Sequence, residues 1–330
     1  MPSPGPRNLI TDVAGLRVGH SQDERVLSGV TTLLCGPGCT AAADVRGGGP
    51  GTREIEALAP ENLVGRAHAI VLAGGSVFGL GAADGVAAAL SARGVGLILR
   101  APEVPIPIVP CAVLHDLGNA GDKRWGLTPP YRQLGIDSVA SAADSFALGP
   151  VGAARGAQAG KLAGGIGSVS LALDEGLVVG ALVAVNCVGS VLMPDGQTYW
   201  AWPFEINAEF GGRQPARDAV PAIEPFPAQS RLADFEAIAG TNTTLAVIAC
   251  DADLSTAECR RLAMMAQDGI ARAMRPAHTP FDGDTVFALA TGKVKLQGAA
   301  RALEVAKLGA AAADCLARAI ARGVEASNPP

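Results

Sequence analysis

The 330-residue sequence predicts an α+β protein in which antiparallel sheets are layered under helices. Three observations carry that expectation. Candidate strands and helices are both plentiful, yet they do not follow the strict βαβ alternation of a parallel doubly wound sheet. Strand-like runs follow one another across turns, as paired antiparallel strands do. Hydrophobic residues make up 49% of the chain and charged residues 17%, so a sizeable core can be buried. Aromatics are only 4% while Gly counts 42, so that core is to be built from Ala, Val, Leu and Ile with tight backbone approaches.

The elements read as follows. Residues 8–20 (NLITDVAGLRVGH) open the chain as a strand-and-turn segment, and VTTLLC (30–35) is a short β-branched strand. The glycine loop 47–51 leads into a helix start near Thr52-Arg53-Glu54. HAIVLAGG (68–75) is a strand, the Ala-rich run 82–92 a helix and VGLILR (95–100) a further strand. The Pro-punctuated segment 102–110 cannot sit in a sheet centre. SVSLAL (168–173) is followed by the uncharged run Gly176–Met193, read as two buried strands or one long strand with a glycine kink. Five prolines break up residues 201–242 into a long loop. TTLAVIAC (243–250) is a strand, and Ser255 with Glu258 forms a capping box for a helix that Pro276 ends. That helix places Leu262, Met265, Ala266, Gly269, Ile270 and Ala273 on one face. TVFALATG (285–292) is a strand, and 298–322 a long closing helix.

A formal net charge of −5 with no basic block argues against nucleic acid or an anionic membrane as partner. Seven Cys at irregular spacing form no disulfide framework, and Cys35 and Cys39 have no second pair with which to complete a zinc site. Reduced, buried thiols are expected. The opening MPSPGPRNLI lacks the apolar core of a secretory signal, and Gly176–Met193 contains Asn186 and Ser190 and is rich in Val. A soluble, cytoplasmic protein is expected.

The chemistry-bearing residues begin at Asn242-Thr243. A hydroxyl residue that opens a buried strand directly after a long loop suits a nucleophile if the chain is cut in front of it. An N-terminal Thr carries its own base, an α-amine of unperturbed pKa about 7.7–8.0. Thr is also simply common in strands. Asp282-Gly283-Asp284 precedes the next strand, where two carboxylates could orient a nucleophile, bind a divalent cation or merely cap a turn. No His or further acid clusters beside the pair, which weakens the metal reading. Lys161 and Asn186 stand in apolar surroundings. There a desolvated Lys could lower the pKa of a hydroxyl and an Asn amide could stabilise an oxyanion. Asn186 could equally be a turn residue between strands. Gly79-x-Gly81 has the wrong spacing for a dinucleotide loop, and Ser76 lacks the glycine that a nucleophile elbow needs.

On these residues the chain resembles the self-processing P1-type peptidases, the group of the DmpA L-aminopeptidase/D-amidase, the β-peptidyl aminopeptidases and the nylon-oligomer hydrolase. The resemblance runs from Asn8–Val13 and Val18-Gly19-His20 to the closing helix. It is most specific at Gly240-Thr241-Asn242-Thr243-Thr244-Leu245 and Asp282-Gly283-Asp284-Thr285. It implies a single domain of residues 1–330 folded as a four-layer αββα sandwich of the N-terminal-nucleophile type, cut into 1–242 and 243–330 and assembled as a tetramer. Like the nylon-oligomer hydrolase, and unlike the Ser-dependent members, the chain has Asn-Thr at the cleavage site. The resemblance therefore makes Thr243 the nucleophile, Asp282 and Asp284 its aspartates, Lys161 its lysine and Asn186 its asparagine. Where relatives often place a Tyr before an Asp near the pocket, this chain has His115-Asp116, so His115 is the expected substrate contact.

The function so implied is hydrolysis of a small or extended amide with a free amino end, with neither metal nor organic cofactor. Two alternatives differ in kind. An acyltransferase of the ornithine acetyltransferase type would turn over faster with an added amine acceptor, and an uncut binding homologue would run as one band in denaturing electrophoresis.

Overall fold

A single long strand ties the molecule together. The computed structural model describes residues 2–101, 103–173, 176–219, 224–234, 242–296 and 298–329. After β1 (Arg17–Asp23), strand β2 (Ser28–Val45) runs for 18 residues, with a register shift between Leu34 and Cys39. Gly36 and Gly38 take positive φ there, so Gly36-Pro37-Gly38 bends the strand. Its first half pairs with β1 and with β4 (Arg66–Ala73), and residues 40–45 pair with β11 (Thr285–Val294). β3 (Gly51–Arg53) and β5 (Cys111–Val113) extend the first half, and β5 lies parallel to β4. On the other side of β11 come β10 (Thr243–Ala252), β9 (Val178–Asn186) and β8 (Gly165–Ala172). The order is thus β3-β5-β4-β2-β11-β10-β9-β8, and β6 (Gln158–Ala159) and β7 (Leu162–Ala163) form a separate hairpin.

Helices α1 (Gly81–Ala92), α2 (Tyr131–Ala140), α3 (Thr256–Ala273) and α4 (Arg301–Ser327) cover the outer faces. Three apolar clusters fix the layering. One joins Val86, Leu90 and Leu134 of α1 and α2 to Val71 and Val113. A second lies between the sheets, where Leu33, Ile70 and Leu72 meet Leu182, Leu245, Val247 and Phe287. The third packs Ala246, Ile248 and Val183 under Leu262, Ile270, Leu316 and Ile320 of α3 and α4. Helix, sheet, sheet, helix is the result, the four layers that the resemblance implied. Glycine permits the closest approaches: a Cβ on Gly167 of β8 would lie 1.8 Å from the Ala319 carbonyl of α4.

The capping box forms as read, with Ser255 N donating to Glu258 Oε2 at 2.8 Å and Glu258 N to Ser255 Oγ at 3.3 Å. Other expectations need correction. Thr52 and Arg53 belong to strand β3 instead of starting a helix. Residues 95–100 form no strand. Leu97 makes one isolated bridge to Ile106, because the facing prolines have no N–H to continue a ladder and Gly94 and Gly96 turn the chain at positive φ. The uncharged run 176–193 holds one strand, β9, after which residues 187–193 are irregular. Helix α2 was not anticipated. All seven Cys are free and buried. No helix among the described residues is long and apolar enough to cross a membrane.

Candidate active site

Alternation along β10 decides which way Thr243 faces. Leu245 and Val247 enter the core between the sheets, while Ala246 and Ile248 face α3 and α4. Thr243 shares the parity of Leu245, so it opens the strand on the inter-sheet side, opposite Asn186 at the end of β9. Thr244 turns the other way, with its hydroxyl 3.7 Å from Met274 Sδ. Thr243 is 2% exposed, and its hydroxyl donates to the carbonyl oxygen of Asn242, the group directly in front of it. That oxygen also accepts from Gly283 N at 2.8 Å, and Asn242 and Asp282 form a parallel bridge.

The two aspartates flank this contact. Asp284 Oδ1 accepts from Thr244 N at 2.8 Å, the N–H directly after the candidate nucleophile. Its Oδ2 accepts from His278 Nδ1 at 2.8 Å and from His278 N at 3.1 Å. Asp282 Oδ2 accepts from Thr279 N at 2.9 Å and Thr279 Oγ1 at 2.6 Å, and Oδ1 from Val188 N at 3.4 Å. Both carboxylates are buried without a cationic side chain hydrogen-bonded to Asp282. Burial, and next the charge of Asp284, push the Asp282 carboxyl up to about 6. The pair therefore changes charge near neutral pH, where a catalytic site can use it.

The glycine loop after β2 closes the site from the other side. Gly49 N donates to Asp282 O at 2.8 Å, and Arg46 N to Asp284 O at 3.0 Å. A Cβ on Gly47 would lie 2.3 Å from Asp284 N, so only glycine lets the two backbones touch.

Asn186 is buried, its Oδ1 accepting from Gln158 N at 2.9 Å and its Nδ2 donating to His115 O at 3.1 Å. The half-buried His115 is thereby brought to the end of β9 through its backbone. Beside it, buried Asp116 accepts from Gly75 N at 2.7 Å and fixes the turn after β4. Lys161 lies in the β6–β7 turn, where its backbone N–H donates to Gln229 O at 3.0 Å. The hairpin leans on the end of β9 through Gly160 N and Cys187 O at 3.0 Å. Lys161 itself is exposed, which corrects the expectation of a desolvating environment, although its neighbours Ala159, Gly160 and Gly164 are buried. Among the expected residues, Gly240 and Thr241 lie outside the described residues. The sequence patterns gave no role to His278 or Thr279, nor to the backbones of Gly283 and Gly47–Gly49. The visible signal was the run His278-Thr279-x-x-Asp282, in which Thr279 caps the Asp282 carboxylate three residues on. Among the described residues no group of three or more His, Cys, Asp or Glu is gathered as a metal would require.

A hydroxyl, a buried carboxylate pair and a doubly hydrogen-bonded peptide carbonyl thus meet in one place. The model of peptidase family S58 matches residues 8–329. The chain belongs to peptidase family S58. An uncharacterized aminopeptidase of Mycobacterium tuberculosis is 45% identical to it, over 98% of this chain and 95% of the relative. A 6-aminohexanoate-oligomer endohydrolase of Kocuria sp. is 29% identical over 89% of this chain and 78% of its own. The solved L-aminopeptidase D-Ala-esterase/amidase of Ochrobactrum anthropi, described as a variant of the Ntn hydrolase fold, superposes with TM-score 0.67. That match covers 98% of this chain and 88% of that one at 19% identity, and so speaks for the fold alone. This S58 member is accordingly a hydrolase of amide or peptide bonds on an Ntn-type scaffold, and its DGD segment and Asn242-Thr243 junction meet at the inter-sheet edge.

Proposed function

We propose that this S58 peptidase is a precursor that cuts itself between Asn242 and Thr243, and that Thr243 is then its catalytic nucleophile. One observation carries the reading: the Thr243 hydroxyl already rests on the Asn242 carbonyl. In the cut, Oγ1 bonds to the Asn242 carbonyl carbon and its proton passes to the departing nitrogen as the C–N bond breaks. Water then hydrolyses the ester, leaving a carboxylate on Asn242 and a free α-amine on Thr243. In turnover that amine takes the hydroxyl proton while Oγ1 acquires the acyl group, the amine product leaves, and a second water releases the acid.

Asp284, through Thr244 N, and Asp282 hold the start of β10 in place. Asn186 stabilises the oxyanion of turnover, and Lys161, on the hairpin bound to the end of β9, adds positive charge at the rim. His115 contacts the substrate, a small amide or oligomer with a free amino end whose ammonium the carboxylates attract. The aminopeptidase and oligomer-endohydrolase relatives support that substrate class. The working enzyme on this reading is a cytoplasmic homotetramer of processed units, with no cofactor, nucleic acid or membrane as partner.

Denaturing electrophoresis and N-terminal sequencing test the reading. Scaling 33.2 kDa by length gives bands of about 24 and about 9 kDa, taking equal mean residue mass in the two parts, the smaller beginning Thr-Thr-Leu. Thr243→Ala should stay folded, uncut and inactive. Active protein that remains one intact band would overturn the proposal.

A further inference from the structure

We infer that the backbone N–H of Gly283 is the oxyanion donor of the self-cleavage step. The inference rests on the proposed cut and adds a catalytic group to it. As Oγ1 of Thr243 adds to the Asn242 carbonyl carbon, the C=O π electrons move onto the carbonyl oxygen, which becomes an alkoxide. A donor already aimed at that oxygen stabilises the new charge without reorganisation. Gly283 N stands 2.8 Å from it, on the far side of a parallel bridge that fixes residue 242 against Asp282.

Two further features single out this N–H. The peptide unit that carries it, Asp282–Gly283, has its carbonyl held by Gly49 N at 2.8 Å. Hydrogen bonding at one end of a peptide polarises the donor at the other, so the glycine loop strengthens the Gly283 N–H. The residue must also be glycine for the nucleophile's sake, since a Cβ at 283 would lie 2.7 Å from Thr243 Oγ1 and 2.9 Å from Gly49 O. A side chain here would push the hydroxyl off the carbonyl. The Gly283 peptide thus does two things at one point: it makes room for the attacking oxygen and receives the charge that the attack creates.

The test removes the N–H with little change of backbone shape, and it also weakens the Asp282 carbonyl as the acceptor for Gly49 N. Full-length chain is assembled by semisynthesis with glycolic acid in place of Gly283, which turns the Asp282–Gly283 amide into an ester. Refolding starts the clock, and the appearance of the 243–330 fragment is timed beside a semisynthetic all-amide control. Loss of one oxyanion donor should slow the cut about 10²–10³-fold. An ester chain that cuts within threefold of the control overturns the inference. A control that never cuts in front of Thr243 sinks the proposed processing itself, a different result. Should the ester chain not refold, isotope-edited infrared spectroscopy of the Asn242 carbonyl in uncut Thr243→Ala protein decides the matter. That variant lacks the Thr243 hydroxyl, so a carbonyl frequency lowered by a strong hydrogen bond supports Gly283, and the frequency of a free buried amide overturns it.

Discussion

Glu209 and Asp284 are both carboxylates withdrawn from water, and the protein satisfies them in opposite ways. Glu209 meets a guanidinium: Arg318 Nε donates to Oε1 at 2.5 Å and Nη2 to Oε2 at 3.0 Å, while Asn8 Nδ2 donates to Oε2 at 2.7 Å. Arg318 is 1% exposed and Glu209 7%, so this is a buried, bidentate pair that joins the chain's beginning, the 201–219 segment and α4. Asp284 and Asp282 meet backbone N–H groups, one hydroxyl and one imidazole. Backbone N–H groups and a hydroxyl hold a carboxylate in place without cancelling its charge. The first arrangement is built to stay fixed, and the second leaves negative charge beside Thr243 for chemistry to use.

The comparison also explains how a cut chain would hold together. Cleavage before Thr243 leaves β10 between β9 and β11, and β11 against β2, so the new end starts an interior strand. Glu209 and Arg318 would then lie on different pieces, and their pair would bind the pieces to each other.

Charge without bulk is the first way to break the contrast. Asp282→Asn and Asp284→Asn retain size and some hydrogen bonding, so neither should lose more than about 1 kcal/mol of folding stability, as for a lost capping carboxylate. If the charges serve the nucleophile, kcat/KM on an aminoacyl anilide should fall about 10²–10⁴-fold. Processing is scored separately on gels, because an uncut variant is inactive for another reason. Variants that cut, melt and turn over normally would reduce both residues to turn caps.

Arg318→Met should do the reverse. It leaves Glu209 buried without its cation, a change that typically costs about 3–5 kcal/mol. The denaturant midpoint should drop sharply while kcat/KM of the still-folded enzyme stays near that of the unmodified protein. The double variant Glu209→Leu/Arg318→Met should recover part of the loss, since an apolar pair needs no counter-charge but leaves Asn8 and the Ser170 carbonyl without these partners. A midpoint unmoved in Arg318→Met would show that the pair does not hold this face together.

What the sequence disclosed follows the same division. The strand at 243, the capping box of Ser255 and Glu258 and the apolar face of α3 are local patterns, and each appears at its expected place. Asn242-Thr243 and Asp282-Gly283-Asp284 were legible as short runs, but their meeting was not, because a parallel pairing across forty residues leaves no periodic trace. The glycine loop 47–51 looked like a connector; its contact with residues 279–284 spans more than two hundred positions. His278 read as one of four scattered histidines, and only the left-handed turn at φ 55° brings its ring back onto Asp284. Lys161 was legible as a charge among glycines and alanines, but its place in the turn of the β6–β7 hairpin, exposed beside buried Ala159 and Gly160, was not.

The smallest effect, and the most diagnostic, is the response to pH. Asp282 is pushed up to about 6 by burial and by Asp284, against a usual carboxylate value near 4. A raised folded-state value means that the native protein holds this proton more tightly than the unfolded chain does. Its contribution to stability is then fully present below about pH 4 and is lost as the pH climbs through 6, by up to about 3 kcal/mol. Activity should run the other way if, as proposed, the ionised pair serves the nucleophile: kcat/KM should fall on acidification with an apparent value near 6 that belongs to the coupled aspartates. Acidification from pH 8 to 5 should thus lower turnover while this site's contribution to stability rises. Asp282→Asn removes the titrating group, so its residual activity should lose that limb, and it should gain stability relative to the unmodified protein chiefly above pH 6. Melting curves and kcat/KM from pH 5 to 8 on both proteins measure this. If activity and relative stability fell together with acid, general acid unfolding would account for the limb and Asp282 would have no part in it.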